Sequence, residues 1–283
     1  MAIGDRALSG RTVLVTGATR GIGLAAVRML AAQGALVAVG ARDAARGQAV
    51  VDELVRAGGR AVLFHADLSR LAALRDAATR FADAHPRLDV LVNNAGVAPR
   101  RRSLTDEGHE LTWATNVLAP LLLSRALLGA LRAAPRPRVV NVGSEAHRSG
   151  RLRWEDLELS RGYGAWRAYA QSKLALGLLS RELARRERNV AVNVVHPGTF
   201  ATDIWRDLPW LGRKLLELVL PPIEKGAGPV VRLAADPALE GVTGRYFFRY
   251  REAEPSAAAR DDAAAARLWE IASRAIEGPA PAR

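Results

Sequence analysis

The chain is 283 residues long, enough for one large α/β domain, and its 49% hydrophobic content comes in short runs, none near the roughly 18 uninterrupted apolar residues of a membrane span. Its formal charge of +12 is carried almost wholly by arginine. The clusters Arg100–Arg102, Arg148/Arg151/Arg153 and Arg185/Arg186/Arg188 lack the interleaved aromatics of a nucleic-acid platform, so nucleic acid is not expected as a partner.

The absence of cysteine excludes disulfides and thiolate metal sites. The first residues hold no apolar stretch of the kind a secretory signal needs, and a soluble, cytoplasmic protein is expected. His65, His147 and His196 are not spaced as metal ligands; they read as core or loop residues, and no metal is expected.

From residue 11 onward, β-branched runs alternate with helical patterns, the order of βαβ units around a parallel sheet. Strands are predicted at 11–16, 35–41, 61–66, 89–93, 138–143 and 190–196, with a short seventh at 245–248. Most are apolar along their whole length, as a sheet covered by helices on both faces requires. Helices are predicted near 22–33, 43–57, 69–84, 105–132, 166–188 and 256–276. The fold expected is α/β, a doubly wound parallel sheet of the Rossmann type, in a single domain over 1–283. Residues 1–143 form its cofactor-binding half, and 144–283 its catalytic and substrate-lid half. Two long connections, 145–165 and 199–223, leave the same end of the sheet and read as lid or binding loops.

Strand 1 runs straight into Thr16-Gly17-Ala18-Thr19-Arg20-Gly21-Ile22-Gly23 and then into an apolar helix. Gly17 permits a sharp turn, Gly21 lets backbone amides approach a pyrophosphate, and Gly23 lets helix and strand pack closely. The N–H groups and dipole of the helix start favour an anion. Asp67-Leu68 ends strand 3, and Asn93-Asn94-Ala95-Gly96 ends strand 4. Both lie on the edge where open α/β sheets bind ligands, although Asp67 could equally cap the following helix. Farther along, Tyr169 and Lys173 lie four apart at the front of a helix and so share one face.

Taken together, TGATRGIG at 16–23, Asp67, NNAG at 93–96, Asn116, Ser144, YAQSK at 169–173 and HPGTFAT at 196–202 resemble the short-chain dehydrogenase/reductase family over nearly the whole chain. The 145–165 segment and the C-terminal region are similar to its retinol-dehydrogenase-like branch. The resemblance implies hydride transfer between a nicotinamide and a carbonyl or alcohol, with Tyr169 as general acid or base. Lys173 would hold the nicotinamide ribose and, by its charge, favour the phenolate; Ser144 would orient the substrate oxygen; Asn116 would help hold a proton-relaying water. It also implies that Pro197 and Gly198 shape the nicotinamide pocket and that Thr202 bonds the carboxamide. Gly143 departs from the pattern, because relatives often carry Ser there.

At the end of strand 2, where a carboxylate would accept from the ribose of NAD, the position falls on Ala41. Arg42 and Arg20 flank it, so NADP(H) is expected in preference to NAD(H). Trp205 and Trp210 suggest an apolar lid over a lipophilic small-molecule substrate, retinoid-, steroid- or aldehyde-like; packing of that segment on the domain is an equal reading. Many relatives pair through the helices carrying Asn116 and Tyr169, which leaves the oligomeric state open, with a homo-dimer or tetramer among the alternatives. The competing function is a non-catalytic NADP(H)-sensing regulator on the same fold.

Overall fold

A computed structural model describes residues 7–198 and 224–277. Within them, eight strands form one sheet in the order β3-β2-β1-β4-β5-β6-β7-β8. The strands are β1 (Thr12–Val15), β2 (Leu36–Ala41), β3 (Arg60–His65), β4 (Val90–Asn93), β5 (Arg138–Val142), β6 (Ala191–His196), β7 (Tyr246–Phe248) and β8 (Arg251–Ala253). All pair in parallel except β7 with β8, which is antiparallel. The sheet order reverses between β1 and β4, and their C-terminal ends open the crevice in which such folds bind ligands.

One face of the sheet carries α1 (Gly21–Ala32), α2 (Ala44–Arg56) and α8 (Glu224–Ala235), which bury Val27, Leu30, Val51, Val230 and Leu233 against Val13, Val37 and Val90. The other carries α3 (Leu71–Ala84), a helical stretch made of α4 (Leu111–Trp113), a π turn (Ala114–Leu118), α5 (Ala119–Ala126) and α6 (Leu128–Arg132), then α7 (Ala165–Arg186) and α9 (Asp262–Glu277). Fully buried leucines such as Leu14, Leu91, Leu123 and Leu174 contribute about 1.5–3 kcal/mol each. The doubly wound sandwich expected from the alternation is the one observed.

The differences from the sequence reading have local causes. The fourth helix starts at Leu111, six residues later than expected, because Thr105–Gly108 forms a turn closed by the Leu104–Glu110 bridge. There the Glu110 carboxylate accepts from the amides of Thr112 at 2.9 Å and Trp113 at 2.8 Å. Helix α8 was not foreseen, since Gly226, Gly228 and Pro229 argue against one locally. The buried guanidinium of Arg138 donates to Leu233 O and Asp236 O, both at 2.9 Å, and so stops that helix. The last strand, β8, also went unread; Arg251 and Glu252 keep this short edge charged and exposed.

Helix α9 lies on α7 and α5, and its Leu268, Trp269, Ala272 and Ile276 join the core of that face. The ion pairs Arg181–Asp262 (2.5 Å), Arg186–Glu270 (3.1 Å) and Arg125–Glu277 (3.4 Å) fasten it, and the Arg186 guanidinium stacks on Trp269 at 4.8 Å.

Candidate active site

The glycine turn after β1 has the form expected of it. Gly17 (φ 65°) and Gly21 (φ 57°) hold left-handed conformations, and a Cβ on Gly23 would collide with the Gly17 carbonyl. The turn is braced from β4. Thr16 Oγ1 accepts from the amides of Asn94 (3.0 Å) and Ala95 (3.1 Å), while Asn94 Nδ2 donates to Thr16 O at 2.8 Å. Asn94 therefore shapes the turn with its side chain, and Thr16, a bracing residue the sequence reading missed, is its counterpart. The signal that could have found it is its place directly before Gly17.

Helix N-termini around the crevice fall into two kinds. Asp43 caps α2 by accepting from Arg46 N–H at 3.0 Å, and the Glu107 carboxylate, reaching across 36 residues, accepts from Leu71 and Ala72 at the start of α3. By contrast α1 has no acidic residue in its first turn and no side-chain cap. The helix start that follows the glycine turn, with Thr19, Arg20, Gly21 and Ile22, thus carries no acidic cap of its own, which fits a bound pyrophosphate.

Asp67 does not cap α3. Its Oδ1 accepts from Ser69 N–H (2.9 Å) and Ser69 Oγ (2.7 Å) in its own loop, and Leu68, partly buried, packs against the core. At the end of β2, Ala41 is buried and its Cβ faces Gly47 of α2. Arg20 and Arg42 are both exposed at this edge.

The catalytic candidates converge from three elements. Ser144 leaves β5 as the N-cap of a 3₁₀ turn (Glu145–Ser149), and α7 brings Tyr169 and Lys173 beside it. The Ser144 hydroxyl, whose oxygen accepts from Ala146 N–H at 3.2 Å, lies close enough to the Tyr169 phenol to oppose the rise of its pKa. Lys173 Nζ lies 5.6 Å from the centre of the Tyr169 ring and donates to Val142 O at 2.8 Å. Gly96 borders the same site, since a Cβ there would lie 3.5 Å from both Lys173 Nζ and Asn116 Oδ1.

Burial raises the Tyr169 phenol above its ordinary value, with the Ser144 hydroxyl a smaller opposing influence, and burial pushes Lys173 down to about 8. Burial therefore keeps Tyr169 protonated at neutral pH in the protein alone, which suits it to give a proton. Asn116 sits in the π turn, a form frequent at functional sites. Its side chain is committed to the framework: Oδ1 accepts from Val97 N–H (2.9 Å), and Nδ2 donates to Val97 O (2.9 Å) and Ser172 Oγ (3.0 Å). The Asn116 side chain thus ties the segment after Gly96 to α7.

Gly143 is explained by its neighbour, because a Cβ there would meet Val194 Cγ1 at 2.5 Å. Pro197 is buried and Gly198, with φ 119°, turns the chain at the end of β6. Thr202, Trp205 and Trp210 lie outside the described residues. His196 is buried against the Phe248 ring at 5.3 Å, a core residue whose burial pushes it down to about 4. Among the described residues no three metal-ligating side chains gather, and no helix is long and apolar enough to cross a membrane.

Residues 11–209 match the family model for short chain dehydrogenases. The chain is 39% identical to retinol dehydrogenase 14 of Mus musculus, across 93% of this chain and 85% of that one. It is 41% identical to the polyprenol dehydrogenase of the same species, across 92% and 82%. Among solved structures, a metagenomic short-chain oxidoreductase in complex with NADP is 33% identical, with a TM-score of 0.64 over 84% of this chain and 96% of that one. With the glycine turn, Ser144, Tyr169 and Lys173 assembled on this fold, the chain belongs to the short-chain dehydrogenase/reductase family, in its retinol-dehydrogenase-like branch, and is an oxidoreductase of CH–OH and carbonyl groups that binds a nicotinamide cofactor.

Proposed function

We propose that the protein is an NADP(H)-dependent reductase of lipophilic aldehydes or ketones, able to oxidise the matching alcohols, with Tyr169 as the proton donor and acceptor. The observation that carries the reading is the contact of the Ser144 hydroxyl with a buried, protonated Tyr169 phenol beside Lys173. When bound, the cofactor supplies or takes the hydride. Ser144 orients the substrate oxygen, and Tyr169 gives its hydroxyl proton to that oxygen in reduction and recovers one in oxidation. Lys173, anchored on Val142 O, would hold the nicotinamide ribose, and its charge offsets the phenolate left after proton transfer. Asn116 and Asn94 hold the surrounding loops in register.

The preference for NADP(H) rests on Arg42 and Arg20, which flank the end of β2 without a carboxylate at Ala41. NADP in the metagenomic relative supports it. A lipophilic substrate is supported by the names of the retinol and polyprenol dehydrogenases and by Trp166, 56% exposed with its ring 6.2 Å from that of Tyr169. The direct experiment is a panel of small and bulky apolar aldehydes and ketones, followed by loss of NADPH absorbance. Turnover with preference for bulky apolar members is expected. NADPH binding with no turnover on any of them would favour the sensing regulator instead.

The docking of α9 also bears on assembly. Copies pairing through the face of α5 and α7 would have to displace Leu268 and Trp269, so the inference is that they do not pair there. Trp269 substitutions that expose the α5 and α7 face are expected to leave the sedimenting mass unchanged, and a change in that mass would contradict the inference.

A further inference from the structure

His147 is the buried polar residue nearest the catalytic serine that the reaction above leaves unused. Its ring makes two hydrogen bonds of opposite sense. Nδ1 lies 2.7 Å from Ser144 O, which can only accept, so Nδ1 carries the proton. Nε2 lies 3.1 Å from Ser256 N, which can only donate, so Nε2 is bare. The two partners together admit one form of the ring, the neutral Nδ1–H tautomer. Ser144 O also accepts from the backbone N–H of His147 at 3.1 Å, so one residue holds that carbonyl twice.

We propose that His147 is a positioning residue that sets the catalytic serine by clamping its backbone between the 3₁₀ turn and the chain around Ser256. The proposal rests on the reading of Ser144 as the group that orients substrate. A fixed carbonyl at Ser144 fixes the peptide from which the hydroxyl projects toward Tyr169, and a displacement of about 1 Å at such a group can cost a hundredfold in rate. The clamp also reaches the C-terminal segment, which the sequence separates from Ser144 by more than a hundred residues.

The ring's surroundings hold it neutral. Burial lowers the pKa of His147, and this outweighs the bond to Ser144 O and the nearby Glu145 carboxylate. On its own turn, Glu145 is engaged by Arg148 at 2.8 Å, and from β7 by the Tyr246 hydroxyl at 2.6 Å. The Tyr246 ring lies 5.0 Å from that of His147. His196 of β6 and Lys173, Arg181 and Arg245 complete the charged and titratable groups around this pocket. Protonation at Nε2 would set two donors, the ring and Ser256 N–H, against each other and release one arm of the clamp. The sign follows: the clamp is closed above the pKa of His147 and opens as pH falls through it.

The test joins a spectroscopic reading to kinetics. Nitrogen-15 correlation spectra of the imidazole rings, with His147 identified by its loss in H147N, are expected to show a Nδ1–H tautomer that stays neutral at pH about 6.5, where a free imidazole is half charged. His147→Ala is expected to lower kcat for carbonyl reduction roughly tenfold, leaving the NADPH Kd within about twofold. His147→Asn, whose amide can still donate to Ser144 O, is expected to recover most of that loss and to lack the acid limb of wild-type kcat. A Nε2–H tautomer would overturn the proposal. So would a folded H147A with wild-type kcat, or a loss in kcat that a folded H147N does not repair. Absence of turnover in the wild type would overturn the functional reading, whatever the spectrum of His147.

Discussion

In the half of the molecule before Gly143 the site is built from backbone. Gly17 and Gly21 supply left-handed turns, Gly23 a close approach, and α1 a helix start without a carboxylate of its own. In the half that follows, the site is built from side chains held by distant partners: Lys173 on Val142 O, Ser172 on Asn116, His147 on Ser256 and Tyr246 on Glu145. The difference teaches how the labour is divided. Backbone amides and a dipole are suited to holding an anion whose shape never varies, whereas a proton transfer needs groups whose charge state burial can tune.

The comparison can be broken at its seam, in one half, or in stability alone. Lys173 belongs to both halves, so Lys173→Ala is expected to lower kcat by about a hundredfold or more and to weaken NADPH binding in a direct titration. An unchanged Kd would confine Lys173 to the catalytic half. Arg42→Ala touches only the cofactor half. A loss of about ten- to a hundredfold in kcat/KM for NADPH, with little change for NADH, is expected from removing one charge-assisted contact of about 1.5–3 kcal/mol. Equal losses with both cofactors would reduce Arg42 to solvated surface.

The smallest effect concerns pH and the protein without cofactor. Lys173 titrates at about 8 in the fold against about 10.4 in a free chain, so burying its charge destabilises the fold most below about pH 8. That penalty is relieved as pH rises between the two values. Relative to Lys173→Met, which has no charge to bury, wild-type Tm is expected to gain over this interval, and parallel Tm profiles would show that Lys173 is not held neutralisable by its surroundings.

These halves were not equally legible in the sequence. The doubly wound parallel sheet was legible in the alternation of apolar strands and helices, and the turn in its glycines, because a short local pattern decides both. Ser144, Tyr169 and Lys173 were identified as a set, since helix periodicity puts two of them on one face and the family pattern supplies the third. What escaped was long-range. Nothing near Asn116 announces that Val97 and Ser172 will use its whole amide, and nothing near Leu71 points to Glu107 as its cap. The protonation of Tyr169 could not be read either, as it depends on burial that exists only once α7 is packed.

The central claim is that cofactor holding and proton transfer are separable, with Tyr169 reserved for the second. The most direct test measures NADPH affinity and carbonyl turnover on one preparation of Tyr169→Phe, which keeps the ring and removes the transferable proton. The account predicts an NADPH Kd within about twofold of wild type and a kcat lowered by about a hundredfold or more. Retention of more than about a tenth of wild-type kcat, on a bulky aldehyde that the wild type reduces, would contradict it.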